Sequence, residues 1–386
     1  MLKLLFASAI LFLSSVTGFA QSSAPLLFGR VAVNRTHIAF SYAGDIWLVE
    51  RGGGDARRIT TDPNDESLPA FSPDGSQLAF SRQTGNDWDV FVMPASGGEA
   101  RRLTYMPEND LVSGWTPDGR QILFQSHREE EATYRLYTMP VDGVFPTALP
   151  LPQAFDGSYA SDGKRIAYVP RAPFGNWRYY RGGMSSLIWI ASLPDGNIEK
   201  LTRGNYNDDY PMWVGDKIYF VSDRTNTANL FSYDLQTKRA SQLTNFEKYG
   251  IRFASAGGGA IVFTRDGRIY LHDLSGGAEA KPVDVRVNLD SSEAKPRPVN
   301  AARNVEWASL SSNGDRIIIG ARGETLLLNP ASGETKNLTQ SSASAERYPA
   351  LSPDGRLTAY FSDESGEYQL HVRPSSGEGP VKKIVI

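Results

Sequence analysis

Short runs of alternating apolar and polar residues, bounded by polar turns, recur along the chain with a period near 44 residues. The most regular runs are 45–49, 89–93, 135–139, 187–190, 229–233 and 268–271. Strict alternation over four or five residues predicts half-buried β-strands, because side chains on a strand point to opposite faces in turn. A shorter apolar strand precedes each of them, as at Leu78-Ala79-Phe80, Ile122-Leu123-Phe124 and Ile166-Ala167-Tyr168. A strand ending in Leu/Ile-Thr usually follows, at Ile59-Thr60, Leu103-Thr104, Leu201-Thr202, Leu243-Thr244 and Leu338-Thr339, with Leu149-Pro150 as a variant.

One turn phrase opens the repeats: Ser72-Pro73-Asp74-Gly75, Thr116-Pro117-Asp118-Gly119, Ser161-Asp162-Gly163 and Ser352-Pro353-Asp354-Gly355. Proline pre-sets φ at the second position of a type I turn, aspartate accepts from nearby backbone N–H groups, and glycine takes the left-handed conformation. Each repeat is therefore predicted to be four short antiparallel strands. Such a sheet has two apolar faces to cover, and stacking units of ~40 to 45 residues around an axis covers both, which is the β-propeller solution. The alternative of an open solenoid leaves its end faces bare.

Six second strands precede residue 280, and two more repeats, around 311–328 and 352–372, follow an interruption. The expected class is all-β, with a six-bladed ring over 25–280, a connector at 281–300 rich in charge and proline, and two blades of an incomplete second propeller over 301–386. A single eight-bladed ring is the alternative. Because two blades cannot close a ring, the chain is expected to be the N-terminal portion of a longer protein.

Composition narrows the chemistry. Lys and Arg number 40 against 43 Asp and Glu, a net charge of −3, which excludes a nucleic-acid binder held by bulk positive charge. With no Cys, disulfides, thiol catalysis and thiolate metal sites are excluded as well. The 36 Gly, 23 Pro and 42 aromatic residues (7 Trp, 17 Tyr, 18 Phe) suit many short strands joined by tight turns.

Lys3, the apolar run from Leu4 to Leu13, and Gly18-Phe19-Ala20 read as a removable export signal over 1–20. That run is too short to span a bilayer comfortably, so after cleavage no membrane attachment is expected. The expected location is the periplasm or outside the cell.

No catalytic constellation stands out. The sequence lacks a Gly-x-Ser-x-Gly elbow, a His-Glu-x-x-His pair and a complete phosphate loop. The four histidines, His37, His127, His272 and His371, lack an accompanying Ser or Cys motif, so structural roles are expected for them. Turn chemistry accounts for Asp74, Asp118, Asp162 and Asp354, and neither metal nor cofactor is expected. One segment breaks the rhythm: successive turn phrases are 44 to 45 residues apart up to Ser161, and the next, at Val214-Gly215-Asp216, lies 53 further on. The added residues, 170–183, carry Arg171, Trp177, Arg178, Tyr180 and Arg181 and no acidic residue. Aromatic contact area beside guanidinium groups makes these five the candidate binding residues for a peptide or partner, at one mouth of the channel. In the competing reading Trp177 and Tyr180 pack inward and the arginines pair with blade carboxylates such as Asp208 or Asp209.

The run from Trp177 to Gly183 followed by Ile188-Trp189-Ile190 resembles the propeller of tricorn proteases, as do residues 37–49, 114–119 and 360–368. The resemblance implies a six-bladed propeller followed by a seven-bladed one, then a PDZ domain and a catalytic region with a Ser nucleophile and a His base. Neither catalytic residue has a counterpart here. It further implies hexameric assembly, propellers that gate or filter peptides, other subunits as partners, and for some members a cytoplasmic location. The rival reading is a stand-alone periplasmic propeller of the TolB type that binds proteins.

Overall fold

The computed structural model describes residues 27–128, 133–143, 145–172, 180–276, 279–288, 300–341 and 343–384, so the expected export signal at 1–20 lies outside the described residues. Compact packing divides the chain between Leu289 and Asp290.

In the first unit, six sheets of four sequential antiparallel strands follow one another along the chain. Their first strands are Val31–Val33, Glu66–Phe71, Leu111–Trp115, Asp156–Tyr159, Asp208–Val214 and Arg252–Gly257, which define blades 1 to 6. Each of these touches the next, and Arg252–Gly257 returns to Val31–Val33, so the six first strands form a closed inner ring.

The turn phrase builds the hairpin between first and second strands. In blade 2 the Ser72 hydroxyl donates to Asp74 (2.5 Å) and accepts from the Gln77 N–H (2.9 Å), and Asp74 accepts from the Ser76 N–H (3.0 Å). Gly75 completes the turn at φ +77. The Ser72 hydroxyl above all, with the Ser76 donors, holds the Asp74 carboxyl down at about 2. The Leu-Thr closers also have a physical reason. The hydroxyls of Thr60, Thr104, Thr202 and Thr244 accept from the N–H groups of Ile46, Val90, Ile188 and Leu230, in the third strand or just before it, at 2.9–3.0 Å. Each threonine thereby satisfies a buried donor where the outer strand ends.

Blade faces pack on one another through the alternating apolar positions. Ala39, Ile46 and Leu48 of blade 1 meet Leu78, Phe80, Phe91 and Met93 of blade 2 in one buried cluster, and the other seams repeat this arrangement. At ~25 cal/mol per Å² of apolar surface, these seams are the main source of stability.

The ring closes at its outer rim. Lys281–Pro282 is the fourth strand of blade 6, and Val285–Val287 then pairs in parallel with Gly54–Arg58, giving blade 1 a fifth strand. The region expected to be only a connector thus begins as two strands. Parallel pairing with a partner some 230 residues earlier leaves no trace in local sequence pattern, which explains the difference.

The second unit holds two sheets. Val305–Leu310, Ile317–Ala321, Glu324–Leu328 and Thr335–Asn337 make the first, and Glu346–Leu351, Leu357–Ser362, Gln369–Pro374 and Lys382–Ile384 the second. Their first strands pack against each other as those of neighbouring blades do in the first unit.

Candidate functional site

The inner strands enclose a cavity of about 960 Å³ that is lined from all six blades of the first unit. Its wall is formed by the ends of those strands and the turns that follow, including Trp115, Ser158, Trp213 and Ala254, and it reaches inward to Asp156 and Tyr210. Both indoles are anchored, Trp115 donating to the Ala70 carbonyl (2.9 Å) and Trp213 to the Gly215 carbonyl (3.1 Å). Tyr210 and Phe253 occupy β-bulges with φ of +54 and +52, conformations that turn a strand locally and re-aim its side chains.

Charge gathers near the inner end. Burial pushes the Asp156 carboxyl up to about 6, against the pull of the Arg30 charge and of the Gly157 N–H, which donates to it at 2.8 Å. Burial pushes Asp209 further, to about 7, and the neighbouring carboxylates of Asp208, Asp156 and Asp223 add to the shift. The Arg30 guanidinium lies over the Phe253 ring at 4.5 Å and near the Tyr210 ring at 5.7 Å.

The first residue of an inner strand, or the residue just before it, is a buried acid in three blades. Glu66, Asp110 and Asp208 pair with Arg82 (2.7 Å), Arg128 (2.6 Å) and Arg224 (2.9 Å). Each guanidinium also lies on an aromatic ring of its own blade: Arg82 on Phe91 at 4.4 Å, Arg128 on Tyr137 at 5.1 Å and Arg224 on Phe231 at 4.7 Å. Sequence reasoning missed these units, although Ser81-Arg82, Ser126-His127-Arg128 and Ser222-Asp223-Arg224 recur where the second strand ends. These buried pairs brace the ring where its inner strands begin.

Of the five residues singled out in the inserted loop, Trp177 and Arg178 lie outside the described residues. Arg171 is exposed and donates to the Gly183 carbonyl at 3.2 Å. Arg181 is held on blade 5, donating to the Asp223 carboxylate (2.7 Å) and carbonyl (3.2 Å). The Tyr180 carbonyl accepts from the Asn207 amide (3.1 Å), which also donates to Asp223 (2.9 Å). The arginine partner is therefore Asp223 rather than Asp208 or Asp209, because Asp208 is already taken by Arg224. The described ends of this loop follow the second strand and precede the third strand of blade 4, and antiparallel geometry puts those ends where the inner strands begin. The turns lining the cavity sit at the opposite end.

His272 and His371 are buried, His371 against Tyr360 (5.6 Å); the His127 ring lies tilted against Tyr134 (3.5 Å between centroids), and His37 meets the Thr36 hydroxyl at 2.8 Å. Among the described residues no group of three or more His, Asp or Glu is arranged to hold a metal ion.

Comparison with known proteins decides the family. The model of the tricorn protease N-terminal β-propeller domain matches residues 25–278. The chain belongs to this family. It is 29% identical over 372 residues to tricorn protease homolog 1 of Streptomyces coelicolor, covering 94% of this chain and 34% of the relative. To the tricorn protease homolog of Saccharolobus solfataricus it is 29% identical over 324 residues, which is 82% of this chain and 30% of that protein. The chain thus spans about a third of the length of these relatives. The crystal structure of the tricorn protease superposes with a TM-score of 0.64 at 20% identity, over 93% of this chain and 44% of the other, a likeness of fold.

Proposed function

We propose that the chain is the propeller portion of a tricorn-like serine protease, in which the six-bladed ring gates or filters peptides for proteolysis carried out elsewhere in the assembly. Membership of the tricorn propeller family supports this reading, and the observation that carries it is the axial cavity, bounded by all six blades and large enough for an oligopeptide. Assembly with other subunits, hexameric as the family resemblance implies, and work outside the cytoplasm after removal of residues 1–20 belong to the same proposal. The loop residues Arg171, Trp177, Arg178, Tyr180 and Arg181 are proposed as a contact for a partner subunit or a peptide. Arg171 is the exposed member among the three described, and Arg181 serves as the loop's anchor.

Gly114 supplies a direct test. It lines the cavity, and a Cβ added there meets no atom within 4 Å, so a large side chain enters open space. Gly114→Trp is expected to weaken binding of free oligopeptides to the full chain at least ~10-fold, read by calorimetry, with an unchanged melting temperature. Equal peptide affinity in the variant and the wild type would overturn the passage reading.

A further inference from the structure

The buried acid–arginine units of blades 3 and 5 share one layout. A serine hydroxyl accepts from the N–H of the arginine two residues on, Ser126 from Arg128 (3.2 Å) and Ser222 from Arg224 (3.3 Å). The guanidinium pairs with the acid where the inner strand begins and lies over two rings paired across the second and third strands. Arg128 covers Phe124 and Tyr137, each at 5.1 Å, and Arg224 covers Phe220 (5.3 Å) and Phe231 (4.7 Å).

The second sheet of the second unit repeats this layout with one part exchanged. Glu346, opposite Ser362, is the acid and is only 4% exposed. Tyr360 and His371 are the paired rings, 5.6 Å apart between centroids. The Ser362 hydroxyl again accepts from the N–H two residues on, at 3.3 Å, but that residue is Glu364 where blades 3 and 5 have arginine. Glu364 pairs instead with Lys383 (2.7 Å), and both side chains are about half exposed. A cavity of about 440 Å³ is lined by Glu346, Tyr360, Ser362 and His371, the counterparts of the groups that hold Arg224.

Glu346 accepts from the hydroxyls of Ser341 (2.5 Å), Ser344 (2.9 Å) and Ser362 (3.2 Å), which fill acceptor sites and bring no charge. The cations on the same wall are engaged elsewhere, Arg373 by the carbonyls of Leu338 and Gly377 and Lys383 by Glu364. A buried carboxylate without a counter-ion is costly, so the cavity favours an entering cation. We propose that it is a socket for an arginine side chain carried on a polypeptide segment, the guanidinium donating to Glu346 and lying against Tyr360 and His371. A planar fork suits a carboxylate between ring walls better than a compact ammonium does. In blades 3 and 5 the backbone of the arginine stays outside the ring pair, which is why a segment fits rather than the free amino acid. The inference concerns the second unit and does not rest on the passage reading.

The test is titration calorimetry of the full chain with Nα-acetyl-L-arginine methylamide. This probe is expected to bind at least ~10-fold tighter than its citrulline analogue, which has the same shape and no charge, and tighter than its lysine analogue. Glu346→Gln is expected to weaken binding ~10-fold. Glu364→Arg restores the residue of blades 3 and 5, so the chain fills its own socket: binding is expected to be lost while the melting temperature rises. Loss of binding with a raised melting temperature cannot come from unfolding. Equal affinity of the wild type for the arginine and citrulline probes, or undiminished binding by Glu364→Arg, would overturn the proposal. Free L-arginine binding ~10-fold tighter than the capped probe would overturn its assignment to a polypeptide segment.

Discussion

Asp208 and Asp209 are adjacent in the chain and meet opposite environments. Asp208 is fully buried and receives two bonds from Arg224, at 2.9 and 3.0 Å, so burial raises its pKa while that guanidinium opposes the rise. Removing only the arginine strands a buried carboxylate. Arg224→Met is expected to destabilise the ring by ~3 kcal/mol, and the double variant with Asp208→Asn to recover much of the loss, both read from denaturant unfolding. Asp209 has no such counter-ion. Its carboxyl, pushed up to about 7 from the ordinary 3.8, binds a proton more readily in the folded than in the unfolded chain. The resulting stabilisation is complete below the unfolded value of about 4 and is lost as pH rises through about 7, with Asp156 adding the same sign up to about 6. Thermal melts of the wild type should therefore fall between pH 5 and pH 8 from these two groups, and Asp209→Asn should flatten that slope and melt higher at pH 8.

Between elements, the seam joining blades 6 and 1 differs from the other five. A Cβ at Gly257 would meet the Val33 carbonyl oxygen at 2.0 Å, so the two backbones approach only because the residue is glycine. Arg51 ties the same seam, donating to the Gly258 carbonyl (2.7 Å) and lying 3.4 Å from Asp273. At the rim, Val285 buries its side chain with Trp47, Val49 and Ala56 of blade 1. Val285→Asp is expected to speed amide exchange in Gly54–Arg58 and lower the melting temperature, with blades 3 and 4 unaffected, as hydrogen-exchange mass spectrometry would show. The blades were legible in the sequence because Ser-Pro-Asp-Gly turns and period-two strands act locally. The rim strand was not, since Val285-Arg286-Val287 is three residues long in a charged, proline-rich stretch and its partner is remote. The inserted loop was visible through its length, while the partner of Arg181 depended on which carboxylates were already occupied.

At the scale of the whole chain, peptide hydrolysis is the quantity to measure first. The purified chain is expected to cleave no peptide, because the Ser and His that the tricorn resemblance implies have no counterpart in its sequence; turnover that survives removal of contaminating proteases and titrates with this chain would refute that. Peptide binding and cleavage are thereby separable in one preparation. The closure of that ring has a further consequence. Among the described residues no blade of the ring borrows a strand from the far end of the chain to complete its own four; each is one sequential stretch, and Val285–Val287 is added to blade 1 as a fifth. In evolutionary terms a single in-frame cassette of ~44 residues can then be duplicated, exchanged or lost without splitting any sheet, since neighbouring blades meet through the same alternating apolar faces. What such an event must preserve is the reach of the final strand back to blade 1, which makes the first and last blades the fixed partners in the history of the ring and the middle four the interchangeable ones.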